Sequence, residues 1–242
     1  MTVTWEELGW ERLAAGVGRR RLPGWDCTVG LVVGAGAALL IDAGSSLGEG
    51  ARLRAEARRL AGHRVTHLAL THPHFDHVFG AAAFAGVEVY GAVGVDTVLA
   101  GGGAEALRAQ AVADGLDPRR AGEAADALPP VPHQVCGEWT LDLGGGRQVL
   151  LADIGPGHTA HDLAVLVPGA PEVVFCGDLV EESGDPQAGP DAAPSHWPAA
   201  LDRLLDLGGA DARYVPGHGA VVDAAFVRAQ RDALAARFGV SR

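Results

Sequence analysis

A layered α/β domain is what this chain of 242 residues predicts, and three observations predict it. Strand-like apolar runs followed by helical segments occur twice, once in each half, as in a sheet with helices outside it. Hydrophobic residues make up 48% of the chain, ample material for a buried core. No composition break or long linker divides it, so residues 1–242 read as a single domain. No internal repeat at solenoid spacing is present.

The elements follow in order. Residues 28–33 and 37–41 read as two buried strands joined by a tight Gly34-Ala35-Gly36 turn, with Asp42-Ala43-Gly44 ending the second. Residues 46–60 form an arginine-rich amphipathic helix, 65–70 a strand, and 87–90 a short strand. A helix starts within 77–84. Residues 92–116 are Ala/Gly-rich and helical in pieces, broken at Gly101-Gly102-Gly103. Residues 117–132 hold four prolines and read as a loop. Strands are expected at 138–143, 148–153, 163–167 and 173–176. Residues 181–198, rich in Gly, Pro, Asp and Ser, read as a long loop of the kind that forms lids. Helix 197–207, strand 213–215 and a closing helix 223–238 complete the chain.

The formal charge of −11 opposes a nucleic-acid or anionic-membrane role, because phosphate binding needs a basic surface. All 19 basic residues are arginine, which excludes chemistry that needs lysine, such as Schiff bases. Residues 1–7 are acidic and lack the apolar stretch of a signal peptide. The longest apolar run, 29–41, is broken by glycines and too short to span a bilayer, so the cytoplasm is the expected location. Cys27, Cys136 and Cys176 are far apart and suggest buried, inert thiols rather than a disulfide framework. The run Arg19-Arg20-Arg21 reads as a solvated face, with anion binding as the alternative.

Chemistry concentrates in His72-Pro73-His74-Phe75-Asp76-His77, directly after the apolar run Leu68-Ala69-Leu70. Imidazole and carboxylate together suit zinc and similar divalent metals. In an extended loop His72 and His74 point the same way and reach one ion. Asp76 and His77, one turn further on, can face a second. Three later segments each place one His or Asp after a glycine at the end of an apolar run: Gly157-His158, Gly177-Asp178 and Gly217-His218. His158 and His218 are natural third ligands, one for each ion, and Asp178 has two oxygens with which to bridge. Two ions about 3.5–4 Å apart would hold a hydroxide nucleophilic at neutral pH and polarise the attacked carbonyl or phosphoryl oxygen.

These residues carry a resemblance to the metallo-β-lactamase-fold hydrolase superfamily. His72-x-His74-x-Asp76-His77 matches its H-x-H-x-D-H signature at every position, and His158, Asp178 and His218 follow in the family's order. Leu39-Leu40-Ile41-Asp42-Ala43-Gly44 is similar to the early strand-end Asp-x-Gly segment of that fold. The resemblance implies a four-layer αββα sandwich with two zinc ions per chain at one edge, other divalent metals being possible. It implies that His72, His74 and His158 hold the first ion, that Asp76, His77 and His218 hold the second, and that Asp178 bridges. Asp42 would steady the histidine loop without binding metal, and Asp76 would position the hydroxide and shuttle its proton.

Departures within the superfamily narrow the substrate. Its β-lactamases usually have Cys or Ser where Asp178 stands, and many use a lysine. Its glyoxalase II members carry a sizeable C-terminal helical region, whereas 24 residues follow His218 here. Its nucleases carry an RNA-binding arm or extra domains. Its flavin-linked diiron members put an acid where His74 stands. The expectation is hydrolysis of an ester, thioester or lactone of a small molecule. β-Lactam or phosphodiester hydrolysis and a metal-binding protein without activity are the alternatives. The oligomeric state is left open.

Outside the motifs the readings are plainer. Trp25 is either core filling or a pocket wall. Trp197 packs at a helix start or walls the substrate mouth, and His196 is a substrate contact or a surface residue. Asp162 caps a turn, and His161 is expected to stay out of the site. His63, His67 and His133 are expected to be surface or packing residues.

Overall fold

The computed structural model describes residues 3–240. Seven strands form one sheet in spatial order: β1 (Glu11–Ala14), β2 (Val17–Arg21), β3 (Thr28–Val33), β4 (Ala38–Ile41), β5 (His67–Ala69), β6 (Glu88–Ala92) and β7 (His133–Val135). The first four pair antiparallel, and β4 to β7 run parallel. A second sheet holds β8 (Glu138–Asp142), β9 (Gln148–Asp153), β10 (Leu163–Val167), β11 (Val173–Glu181) and β12 (Arg213–His218), in the order β12-β11-β10-β9-β8. Only β11 and β12 are parallel there.

Period-2 alternation sorts the apolar residues into three layers. In β4, Leu39 and Ile41 join Val165, Phe175 and Val215 of the opposite sheet, while Ala38 and Leu40 face outward. On that outer face lie helices α1 (Leu47–Ala61), α2 (Phe75–Val78), α3 (Val95–Leu99), α4 (Gly102–Ala113) and α5 (Pro118–Asp126), which contribute Leu53, Phe75, Leu107 and Ala121 among others. In β11, Val173 and Phe175 point between the sheets, and Val174 and Cys176 point outward to α6 (Trp197–Gly208) and α7 (Ala224–Phe238). Strands buried on both faces read as unbroken apolar runs, which is why the inner strands were legible. The result is a helix–sheet–sheet–helix sandwich. No helix among the described residues is long and apolar enough to cross a membrane.

The structure corrects the sequence reading at several points. Residues 117–132 are not all loop, because α5 occupies Pro118–Asp126. Pro118 sits in the first turn, where its missing N–H costs nothing, and Asp117 caps the helix by accepting the Arg120 N–H. The arginine run is no solvated face but strand β2. There Arg19 is buried, bonded to Glu11 and to the Gly219 carbonyl, each at 2.8 Å, and Arg20 meets Glu56 at 2.6 Å. Cys136 is exposed rather than buried, in the turn between β7 and β8, whereas Cys27 and Cys176 are buried as expected. Strand β11 does not stop at Cys176 but runs to Glu181, through a register irregularity against β12.

Candidate metal centre

Parallel neighbours β4 and β5 deliver their C-terminal ends to one edge, Asp42 after the first and residues 71–77 after the second. Asp42 takes a left-handed backbone, φ +62°, which a non-glycine residue adopts only where its surroundings force it. Its carboxylate supplies that force. Oδ1 accepts the Thr71 N–H at 2.8 Å, and Oδ2 accepts the Thr71 hydroxyl at 2.8 Å and the His77 Nδ1–H at 2.9 Å. One buried carboxylate thus ties the end of β4 to both ends of the histidine loop.

From the other sheet come His158, between β9 and β10, Asp178 within β11, and His218 at the end of β12. Glycines make room for Asp178. A Cβ on Gly217 would lie 1.8 Å from Asp178 Oδ1, and Gly177 has φ +54° with Thr71 2.8 Å from where its Cβ would be. The strand irregularity and these two bare positions turn the Asp178 carboxylate into the gap between the sheets.

Five histidines share one wiring rule. Each spends its outward nitrogen as a donor to an oxygen: His72 Nδ1 on Thr71 Oγ1 at 3.0 Å, His74 Nε2 on Asp191 at 2.9 Å, and His77 Nδ1 on Asp42. His158 Nδ1 donates to the Gln187 carbonyl at 3.1 Å and His218 Nδ1 to the Trp25 carbonyl at 2.7 Å. Because those partners accept, the ring proton is on the outward nitrogen and the inward one is left for something else. The inward nitrogens converge. His158 Nε2 is 2.9 Å from His74 Nδ1, and His77 Nε2 is 3.4 Å from His218 Nε2. Asp178 stands among them, with Oδ2 3.5 Å from His72 Nε2, 3.4 Å from His158 Nε2 and 3.3 Å from His218 Nε2. Its Oδ1 is 3.2 Å from His77 Nε2.

Three groups able to hold a metal ion result among the described residues, and two of them, His72-His74-His158-Asp178 and His77-Asp178-His218, share Asp178; the third is Cys27-Asp76-His77. His72 Nε2 and Asp178 Oδ1 are buried and make no hydrogen bond. Orphaned buried atoms of this kind are costly unless a cation satisfies them. Asp76 Oδ2 lies 3.4 Å from His218 Nε2 and 3.6 Å from His77 Nε2, though by proximity it also groups with Cys27 and His77. Cys27 Sγ is 3.6 Å from His77 Nδ1, the nitrogen already committed to Asp42.

The electrostatics divide the histidines. Burial holds His72 well below the usual imidazole range, against the pull of Asp178, and brings His158 down to about 4. For His77 and His218 burial acts the same way but is outweighed. Cys27, Asp178, Asp76 and Asp42 raise His77 well above its usual value, and Asp178 with Asp76 pushes His218 up to about 12. Asp178 is held well below the carboxylate range, its burial overcome by His77, His72 and His218. Burial pushes Asp162 up to about 7, and its oxygens cap a turn by accepting the Thr159 N–H and hydroxyl. Without a cation, His77 and His218 carry inward protons that an ion would replace.

The remaining sequence candidates separate. Trp25 is half-buried; its ring meets Phe75 edge-on at 5.2 Å while its carbonyl holds His218. Trp197 is wholly buried rather than facing a substrate mouth. Its N–H bonds the Leu179 carbonyl and its ring backs His158 at 5.4 Å. His196 is exposed and touches the neighbouring Ser195 hydroxyl at 3.2 Å. His161 bonds the Val93 carbonyl at 2.8 Å. Sequence reasoning missed Asp191 and Gln187, the outward partners of His74 and His158. Both lie in the segment expected to be a lid, and no local motif marks them.

Comparison with known proteins agrees with this geometry. Residues 22–218 match the family model described as the metallo-beta-lactamase superfamily. A hydroxyacylglutathione hydrolase from Nitrosococcus oceani is 26% identical over 157 residues, covering 65% of this chain and 49% of that protein. The chain therefore spans about half the length of this curated relative. Among solved structures, the metallo-beta-lactamase FIM-1 from Pseudomonas aeruginosa in its mono-zinc form superposes with a TM-score of 0.69 at 20% identity, covering 96% of each chain. A metallo-beta-lactamase from Hirschia baltica gives a TM-score of 0.67 at 16% identity, over 93% of this chain and 96% of that one. These likenesses establish the fold. The family match runs from the loop before β3 to the last histidine of the centre, and the chain belongs to the metallo-beta-lactamase superfamily.

Proposed function

We propose that this protein is a metal-dependent hydrolase that holds two zinc ions and cleaves an ester, thioester or lactone of a small molecule. The observation that carries the reading is the wiring of the five histidines, outward nitrogens all committed to oxygens and inward ones aimed at Asp178. A structural histidine cluster has no need of that uniform arrangement. His72, His74 and His158 would hold one ion and His77, His218 and Asp76 the other, with Asp178 facing both. Ions so placed supply a nucleophile from water at neutral pH and a Lewis acid for the carbonyl.

The chain's own residues do the rest. Burial disfavours the charged form of Asp76, but His77 and His218 outweigh it and hold its carboxyl below the usual range, so it is ionised and able to accept a proton. It stands beside the inward nitrogens, where it would orient the attacking water and pass its proton to the leaving group. Asp42 fixes the angle of His77 and the loop that carries His72. The hydroxyacylglutathione hydrolase relative supports the thioester branch, since an acyl-glutathione is a thioester.

The test is a screen of zinc-loaded protein against thioesters, esters, lactones, β-lactams and phosphodiesters, with metal content measured in parallel. Turnover of acyl compounds with near two zinc ions bound is expected. Turnover confined to β-lactams or phosphodiesters would move the reading to another substrate class. Inactivity across the panel with zinc bound would replace it with a metal-binding protein that lacks activity.

A further inference from the structure

A hollow of about 720 Å³ is lined by none of the seven ligand-type residues but shares Trp25 with the metal centre. Its walls come from the β2–β3 loop, the first turn of α1 and the α4–α5 junction. Trp25 belongs to the hollow and to the centre at once. Its side chain lines the hollow and meets Phe75, which sits between His74 and Asp76 in the chain, while its carbonyl holds His218.

Trp25, Leu47 and Leu116 give the hollow apolar walls, and Arg52 and Arg120 stand among its lining. The acids there are already engaged. Glu49 accepts the Ser45 N–H at 2.8 Å and hydroxyl at 2.7 Å, Asp117 caps α5, and Glu123 pairs with Arg119 at 2.8 Å. The arginines are held less firmly. Arg52 has one ionic contact, to Glu49 at 3.8 Å, and Arg120 has no ion pair among the described residues. Apolar walls with two underused guanidinium groups suit a short aliphatic stem that ends in a carboxylate.

We propose that this hollow is a specificity subsite for a carboxylate-bearing arm of the substrate, with Arg52 and Arg120 recognising the charge and Trp25 the stem. This rests on the proposed acyl hydrolysis only in naming what the arm is attached to. Solvent-exposed charge pairs are weak, so the preference expected is modest, roughly three- to ten-fold.

The experiment uses zinc-loaded protein and three acetyl thioesters of equal length, with leaving thiols that end in a carboxylate, a hydroxyl or an ammonium. Wild type should show kcat/KM for the anionic thioester roughly three- to ten-fold above the neutral one. In Arg52→Gln/Arg120→Gln the ratio should fall to about one, and Arg120→Glu should reverse it toward the ammonium thioester. An unchanged ratio in both variants would overturn the proposal. A direct binding arm makes the result independent of turnover: hexanoate titrated into the same proteins, followed by the Trp25 indole resonance. A saturable shift in wild type that is lost in the double glutamine variant supports the subsite even if no thioester is cleaved, in which case the hydrolase reading alone fails. No shift in wild type, with thioesters cleaved, overturns the subsite alone.

Discussion

The two halves of the centre are steadied from different places. His77 and His218 take their outward partners from the frame: the buried Asp42 at the end of β4 and the backbone of Trp25 before β3. His74 and His158 take theirs from Asp191 and the Gln187 carbonyl, both in the largely exposed segment between β11 and α6. A third bond, Ala193 N–H to the Gly157 carbonyl at 2.9 Å, straps that segment down beside His158. The side-chain chemistry is alike, but one half is built into the core and the other depends on a strap.

Asp178→Ala should erase the distinction, since that carboxylate faces both halves. Metal content should drop below one equivalent, and activity should fall by more than the roughly 10–100-fold expected for losing an outward partner. Near two equivalents in this variant would break the two-group description. Asp76→Asn keeps the shape and removes the proton acceptor, so the turnover number should drop roughly 10²–10⁴-fold at saturating zinc. Full rescue by excess zinc would show that only its ligation matters.

Asp42→Ala and Asp191→Ala set the halves against each other. The first strands the Thr71 N–H and His77 in the core and should cost roughly 3–5 kcal/mol of metal-free stability, read by urea denaturation. The second sits at the surface and should change that stability by only about 0.5 kcal/mol while weakening one ion roughly 10–100-fold. Equal stability losses would mean that the strap is as structural as the frame.

Acidity should separate them more gently. On one side burial holds His72 and His158 below the usual imidazole range and only His74 is raised, by Asp191 and Asp178, whereas on the other side both His77 and His218 are raised. An ion entering beside His77 and His218 must displace protons, so its affinity should fall more steeply as pH is lowered from 8 to 6 than the affinity of the other ion. Stepwise zinc titrations at several pH values would show it. Parallel pH slopes would place the protons elsewhere.

The same contrast explains what the sequence could reveal. The seven ligand-type residues sit in four short motifs, one directly after an apolar run and three with the His or Asp after a glycine, so spacing exposed them, although Asp178 lies within β11 rather than at a strand end. Asp42 was visible because it closes a strand. Asp191 and Gln187 act across long stretches of chain and inside a Gly/Pro-rich segment, and nothing local distinguishes them from solvated residues. Helix α5 was hidden because Pro118 reads as a breaker unless the cap at Asp117 is recognised. Strands β1 and β2 were hidden because arginines occupy positions where apolar residues would have shown the alternation. Trp197 allowed two readings, a helix-start packing residue or a wall of the mouth, and its bonds take it inward to the first of these.

The strap has a consequence for handling the protein. Since Asp191 and Gln187 grip histidine rings that an ion would immobilise, whatever occupies the His74–His158 side also anchors the exposed chain around them. A protease offered the folded protein should therefore cut between Glu182 and Ser195 faster after chelation than before it. The cleavage rate at that one stretch would then gauge occupancy of a single metal position, without any substrate being known.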